Sequence, residues 1–480
     1  MKKRIIGSLL LSILPAAAGV AAEFAPVFGS GMVLQQGCEL TFRGKAEPDE
    51  TLTLEFAGEK VAGQAGKDGE WSLKLPPLTA SATPRTMTLT GKNGCRKLDD
   101  VLVGEVWLCS GQSNMYWPLG RSLNGNEAAA TADYPEIRVF RESSRHAAAP
   151  QKNTSAKWQK MTPDLAGNTS AVAFYFGREL HRELKVPVGL LCAHRGGTMI
   201  EPWTPPGAWD AYPELKARID ARFGKTPNAK SKSPKDWPRN QPHVLYNGVI
   251  HPLTPYRFRG VIWYQGCSNV WYDSQEDYLL KQQALYDGWK RAFANPGMKF
   301  YTVQIAPLIR SRDAVEKHVG IWLAQQKFAD ANQPQVKLVV INDVGDLNNI
   351  HPANKEPVGL RLANLALKYD YGRNVPADFP RLRECEAKDG VLRLSFCFVR
   401  EWKTTDGGPI RNFEIAGADG KFLPARVEAQ GDQLTVSAPG VSLPRRVRYL
   451  YSCSKLGNLV NEAGLPPGTF EAEAPFRGSN

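Results

Sequence analysis

The sequence predicts an α/β fold, a doubly wound parallel sheet set between two small β domains, and three observations carry that prediction. The runs "EVWLC", "VGLLCAH", "GVIWYQG", "YTVQIAP" and "VKLVVIND" are near-continuously apolar, the pattern of strands buried on both faces of a sheet. Stretches with apolar residues at helical spacing alternate with them, which calls for right-handed crossovers in a layered α/β domain. From Phe24 to about Asp99, and again after Gly372, short alternating runs separated by Gly, Pro and Asp read as antiparallel β structure. A chain of 480 residues is also too long for one compact unit.

In chain order, "MKKRIIGSLLLSILPAAAGVAAEF" places Lys2, Lys3 and Arg4 before an apolar stretch ending in small residues, the layout of a secretory signal. Residues 1–22 are therefore expected to be removed on export to a periplasm or beyond the cell, and no second stretch reads as a membrane span. Residues 23–100 form the first β domain, with "ELTFRGKA", "TLTLEF" and "RTMTLTG" as strands. Residues 101–372 form the α/β domain. In it Ser170 caps "AVAFYFGRELHREL", whose Val172, Phe176, Leu180 and Leu184 share a face. "SQEDYLLKQQALYDGWKRAF", "EKHVGIWLAQQKFAD" and "EPVGLRLANLALKY" repeat that spacing, while Gly224 to Pro242 reads as an exposed Pro-, Lys- and Ser-rich loop. Residues 373–480 return to β structure in "VLRLSFCFV", "RNFEIAG", "QLTVSAPG" and "RRVRYLYS".

The net charge of +12 is spread along the chain without a basic arm, which argues against a nucleic-acid partner. It suits an acidic substrate, and equally a generally basic proteome. The eight cysteines show no CxxC, so neither a zinc ribbon nor a thioredoxin motif is expected. No H-E-x-x-H or other metal-ligand spacing appears, and the sequence calls for no metal or cofactor. It sets no oligomeric state. Cys109 and Cys192, in apolar runs, read as buried thiols.

In "GEVWLCSGQSNMYWPL", Ser113 directly follows an apolar strand, where a hydroxyl is presented at the strand's carboxyl end. Met115 stands where a GxSxG elbow has its second glycine, so Ser113 reads as a nucleophile or as a helix cap, with both open. A serine nucleophile needs a base. Of seven histidines, His351 stands in a loop directly after the last buried strand and before a helix; His146, His181 and His318 read as solvated.

"GEVWLCSGQSNM", "HRGGTMIEPWTP", "LYNGVIHPL", "GVIWYQGCSN" and "DVGDLNNIHPANK" occur in the order seen in the sialate O-acetylesterase family, a branch of the SGNH hydrolases, and the chain resembles that family over nearly all its length after the leader. The resemblance implies an SGNH-type, flavodoxin-like sheet and a serine esterase that removes O-acetyl groups from sugars, most naturally sialic acids. By position it implies Ser113 as nucleophile and His351 as base, with the Ser113 amide, Gly197 and Gln265 forming an oxyanion hole. Asn247 is implied as a pocket residue, and Arg195 is available for a substrate carboxylate.

The sequence departs from the family at two places. Cys267 stands where the family has a glutamate, and Asn348 and Asn349 fill the positions of the usual aspartate before the histidine. Asp346 is then the nearest carboxylate for a third catalytic member, and its other reading is a loop cap. Cys267 could itself be read as a nucleophile, but no second base is assigned to it. Two further readings stand beside the sialate esterase: an acetylxylan or other polysaccharide acetylesterase, and a non-catalytic carbohydrate-binding protein with a decayed site.

Overall fold

Strand β1 (Gly94–Gly111) ties the chain together in the computed structural model, which describes residues 21–142, 145–224 and 238–477. The expected leader lies outside the described residues up to residue 20, as does most of the expected loop between Gly224 and Pro242. The first half of β1 pairs antiparallel with Ser81–Gly91 and parallel with Val33–Gln35. Its second half enters the central sheet. The expected boundary at residue 100 thus falls inside one continuous strand. Where the two halves meet, Gly104 passes under Pro187, whose carbonyl oxygen would lie 2.0 Å from an added Cβ.

The other strands of the central sheet are β2 (Tyr134–Arg141), β3 (Trp158–Met161), β4 (Val188–His194), β5 (Gly260–Tyr264), β6 (Lys299–Val303) and β7 (Val336–Val339). They lie in the order β3-β2-β4-β1-β5-β6-β7, with β3 antiparallel at one edge and the rest parallel. The architecture is therefore a mixed α/β sheet with further β sheets at both ends of the chain.

Side chains of β1 alternate between two cores: Val106 and Leu108 enter one, Trp107 and Cys109 the other. Both faces are covered, which is why the run reads as continuously apolar. Helix α1 (Ser113–Tyr116) follows β1 directly. Helices α2 (Ala171–Leu184) and α5 (Glu356–Tyr369) supply Phe176, Leu180, Leu362 and Leu365 to one core. Helices α3 (Gln275–Ala292) and α4 (Arg312–Ala331) supply Tyr278, Trp289, Ile321 and Trp322 to the other. The Ser170 hydroxyl accepts the Ala173 N–H at 3.1 Å, the cap expected for α2. His318, expected to be solvated, is instead fully buried on α4, its ring edge-on to Trp322.

The chain builds the β2 and β4 side of the sheet after leaving β1, then crosses to β5, β6 and β7. Strand order reverses at β1, and a crevice opens at the carboxyl ends of such strands. The C-terminal strands have a core of their own around Phe396, Trp402, Phe413 and Tyr449. They also brace the loop after β7: the Gly457 N–H donates to the Asn342 carbonyl at 3.1 Å and the Asn342 side chain to the Pro467 carbonyl at 2.8 Å. Among the described residues no helix is long and apolar enough to cross a membrane.

Candidate active site

The end of β1 is shaped by Gly111, at φ +139°, where an added Cβ would fall 2.3 Å from the Tyr264 carbonyl oxygen of β5. Only glycine fits so close to a neighbouring strand in that conformation. Gln112 then bridges to the next loop, its side-chain oxygen accepting the Gly266 N–H at 3.0 Å. Ser113 opens α1, half-buried, and as first residue of the helix its N–H has no intrahelical acceptor.

The loop after β4 faces it. Arg195 donates its N–H to the Gly111 carbonyl at 3.1 Å, and a Cβ at Gly196 would stand 3.5 Å from the Ser113 Cβ. Gly197 has φ +69°, and its carbonyl accepts the Asn240 side-chain amide at 3.1 Å. The Asn240 side-chain oxygen takes the Met199 N–H at 2.9 Å, so one asparagine latches this loop. The same latch sets Arg239 beside Arg195: burial, then the Arg195 charge, pushes the Arg239 guanidinium below its ordinary value.

His351 is half-buried, with its ring stacked on Trp117 at 5.1 Å between centroids and 20° between planes. Trp117 ends the helix that Ser113 begins, so serine and histidine are positioned from opposite ends of one short turn. A direct tie spans them as well: the Asn114 amide donates to the Ile350 carbonyl at 3.0 Å, joining the residue after Ser113 to the residue before His351. Burial and the nearby Lys355 charge hold the His351 imidazole below its ordinary value, which favours the neutral ring a general base requires. The histidine loop is further pinned by the Ile309 N–H on the Leu347 carbonyl, at 2.8 Å.

The carboxylate of Asp346 is exposed and accepts the Asn348 N–H at 2.9 Å. That is a turn-closing bond, and among the described residues no hydrogen bond joins Asp346 to the His351 ring.

Gln265 is fully buried, and its amide donates to Asn269 at 2.8 Å, and to Gln112 and the Thr198 carbonyl at 3.2 Å each. Its oxygen accepts the Tyr278 hydroxyl at 2.9 Å. An amide has two hydrogens, so the donors expected to meet an oxyanion are occupied by the protein. Behind it Asn269 bonds Glu201 at 3.1 Å and Asp273 at 2.7 Å, and Lys281 bridges the same carboxylates at 2.7 Å each. Asn247 is also buried, and its amide donates to the Ala147 and Ala148 carbonyls at 3.2 and 3.1 Å, so it anchors that loop. Cys267 is a buried free thiol, pushed up by that burial. Such a thiol is a poor nucleophile at neutral pH.

Residues of weight that the sequence reading passed over are Gln112, Asn114, Trp117, Asn269 and Lys355. The signal for the first two was present, because polar amides on both sides of a strand-end serine need partners.

A sequence model of the carbohydrate esterase family of sialic acid-specific acetylesterases matches residues 103–368, a span that runs from inside β1 nearly to the end of α5. The chain belongs to that family. Human sialate O-acetylesterase is 29% identical over 471 residues, covering 89% of this chain and 87% of its own. The mouse enzyme is 27% identical over 488 residues, with 89% and 88% covered. The crystal structure of a carbohydrate acetylesterase from Xanthomonas citri is 29% identical with a TM-score of 0.84, over 94% of this chain and 100% of that one. As a member of the acetylesterase family the protein is a carboxylic ester hydrolase that removes O-acetyl groups from sugars. The matched span contains Ser113, the loop from Arg195 to Thr198, Gln265 and His351.

Proposed function

We propose that Ser113 and His351 are the nucleophile and general base of this esterase and that its substrate is an O-acetylated sialic acid. The observation that carries the catalytic assignment is the Asn114 bond to the Ile350 carbonyl, which fastens the serine turn to the histidine loop. The Ser113 hydroxyl adds to the acetyl carbonyl as its proton passes to His351. The tetrahedral oxyanion is met by the N–H groups of Ser113 and Gly197; collapse expels the sugar hydroxyl, which takes the proton back from His351. Water repeats the two steps on the acetyl-enzyme and releases acetate. In this reading Gln265 frames the oxyanion loops, and Trp117, with the Asn114 tie, takes over the orienting task of a triad carboxylate.

The substrate assignment is favoured by Arg195, on the loop facing Ser113, and Arg239, on the Pro238–Asn240 turn that Asn240 latches to that loop, whose positive charges act on each other and suit a sugar carboxylate. A neutral acetylxylan gives that pair nothing to bind. We also read the central sheet as the SGNH-type doubly wound fold, residues 23–100, 101–372 and 373–480 as the three domains of the chain, with strand β1 running across the first boundary, and residues 1–22 as the signal for export.

Acetate release from O-acetylated sialic acid and from acetylated xylan oligosaccharides, measured side by side, tests the proposal. The expected outcome is preference for the sialic acid and a loss of about 1,000-fold or more in Ser113→Ala. Release that survives in Ser113→Ala refutes the nucleophile. Preference for xylan refutes the substrate, and glycan binding without release points to a binding protein.

A further inference from the structure

Lys355 lies just before α5, with its side chain 1% exposed. Its ammonium donates to the Asn114 side-chain oxygen at 2.6 Å and otherwise faces the rings of Tyr264, at 5.7 Å, and Trp117, at 6.0 Å. A buried lysine is ordinarily paired with a carboxylate. Among the described residues no carboxylate lies within ion-pair distance of this one. The group nearest to that role is Cys267, whose sulfur lies 3.9 Å from the Asn114 amide nitrogen.

We propose that Lys355 is a positioning residue for the base: it clamps Asn114, Asn114 holds the carbonyl of Ile350, and its charge sets the field in which His351 takes up a proton. The geometry gives Asn114 two opposed partners, the ammonium on its oxygen and the Ile350 carbonyl on its nitrogen. Its amide is thereby fixed in one orientation, because a flipped amide would set donor against donor.

The charged and titratable groups around the ammonium leave its field uncancelled. From the β5 side come Tyr264 and Cys267, a neutral phenol and a neutral thiol, both pushed up by burial. Beyond Cys267 stands Arg310, itself a cation. On the histidine loop are His351 and Asp346, the latter bonded to the Asn348 N–H. At the start of α5, Glu356 pairs with Arg178 at 2.7 Å. Burial pushes the Lys355 amine down to about 7, so it is mainly charged over the range in which His351 protonates. Each unit of that charge opposes a second positive charge on the imidazole.

The inference rests on His351 being the base, and the test separates the two. In full-length protein carrying Ser113→Ala, the His351 ring is titrated by NMR with and without Lys355→Met; no turnover is needed. The expected result is an upward move of the ring titration by about half a pH unit or more on losing the lysine charge. In the Ser113 enzyme hydrolysing para-nitrophenyl acetate, Lys355→Met should move the acid limb of kcat/KM the same way and lower kcat by roughly 10- to 100-fold. Cys267→Glu, which places a carboxylate beside the ammonium, should raise the limb with the clamp intact, and it decides alone if Lys355→Met does not fold. A limb and ring titration unmoved in the folded variants overturn the proposal. Activity that survives Ser113→Ala instead removes the catalytic reading and leaves the titration result standing.

Discussion

Residue identity says what a side chain can do, and its partners decide what it does. Ser113 and His351 were legible as candidates because Ser113 follows a buried strand closely and His351 stands in the loop between the last buried strand and a helix, while their roles came from the family motifs. Gln265 and Asn247 were legible as motif positions only: the hydrogens that would meet a ligand are held by Asn269, Gln112 and Thr198 in one case, by Ala147 and Ala148 in the other. Lys355 was not legible at all, since its meaning depends on the thiol at Cys267, far away in sequence. Asp346 gives the sharpest prediction at this scale. With its carboxylate on the Asn348 amide, Asp346→Asn should lower kcat less than about 10-fold, against the roughly 10,000-fold that loss of a triad aspartate costs. Steady-state kinetics on acetylated sialic acid checks it, and a loss near the larger figure would place Asp346 on the imidazole during turnover.

Elements position these residues through close backbone packing. Apolar runs announce strands well, because burial on both faces leaves no polar alternation to read. They do not say that β1 continues through the change of composition at residue 100, since one strand can belong to two ladders. Gly111 is where the strand must stop and the serine turn begin. Gly111→Ala would force a Cβ against the Tyr264 carbonyl from an already left-handed φ, and backbone cannot rotate away as a side chain can. The variant should lose at least about 3 kcal/mol of stability or fail to fold, as measured by urea denaturation. A loss below about 1 kcal/mol would show that the strand end yields.

For the whole molecule, buried histidines are one route by which pH acts. Burial and the Arg310 charge push His318 down to about 3, and His351 also lies below its ordinary 6.5. In both cases the unfolded chain binds the proton more readily than the fold does. Stability from these groups is therefore complete above about pH 6.5 and is lost as pH falls from there toward about 3. Thermal melts at decreasing pH should show the midpoint dropping over that window, with His318→Gln dropping less. A midpoint flat down to pH 4 would contradict the burial of a neutral His318.

Strand β1 is shared by the first β region and the catalytic sheet: it bulges at Asp100, where φ is +57°, and beyond that bulge it is still paired with Val33–Gln35 of the first region. Rotation of one region against the other would have to break that parallel ladder. A glycan of any length therefore meets an aperture of fixed frame, and discrimination among acetyl esters falls to the side chains and loops at its rim.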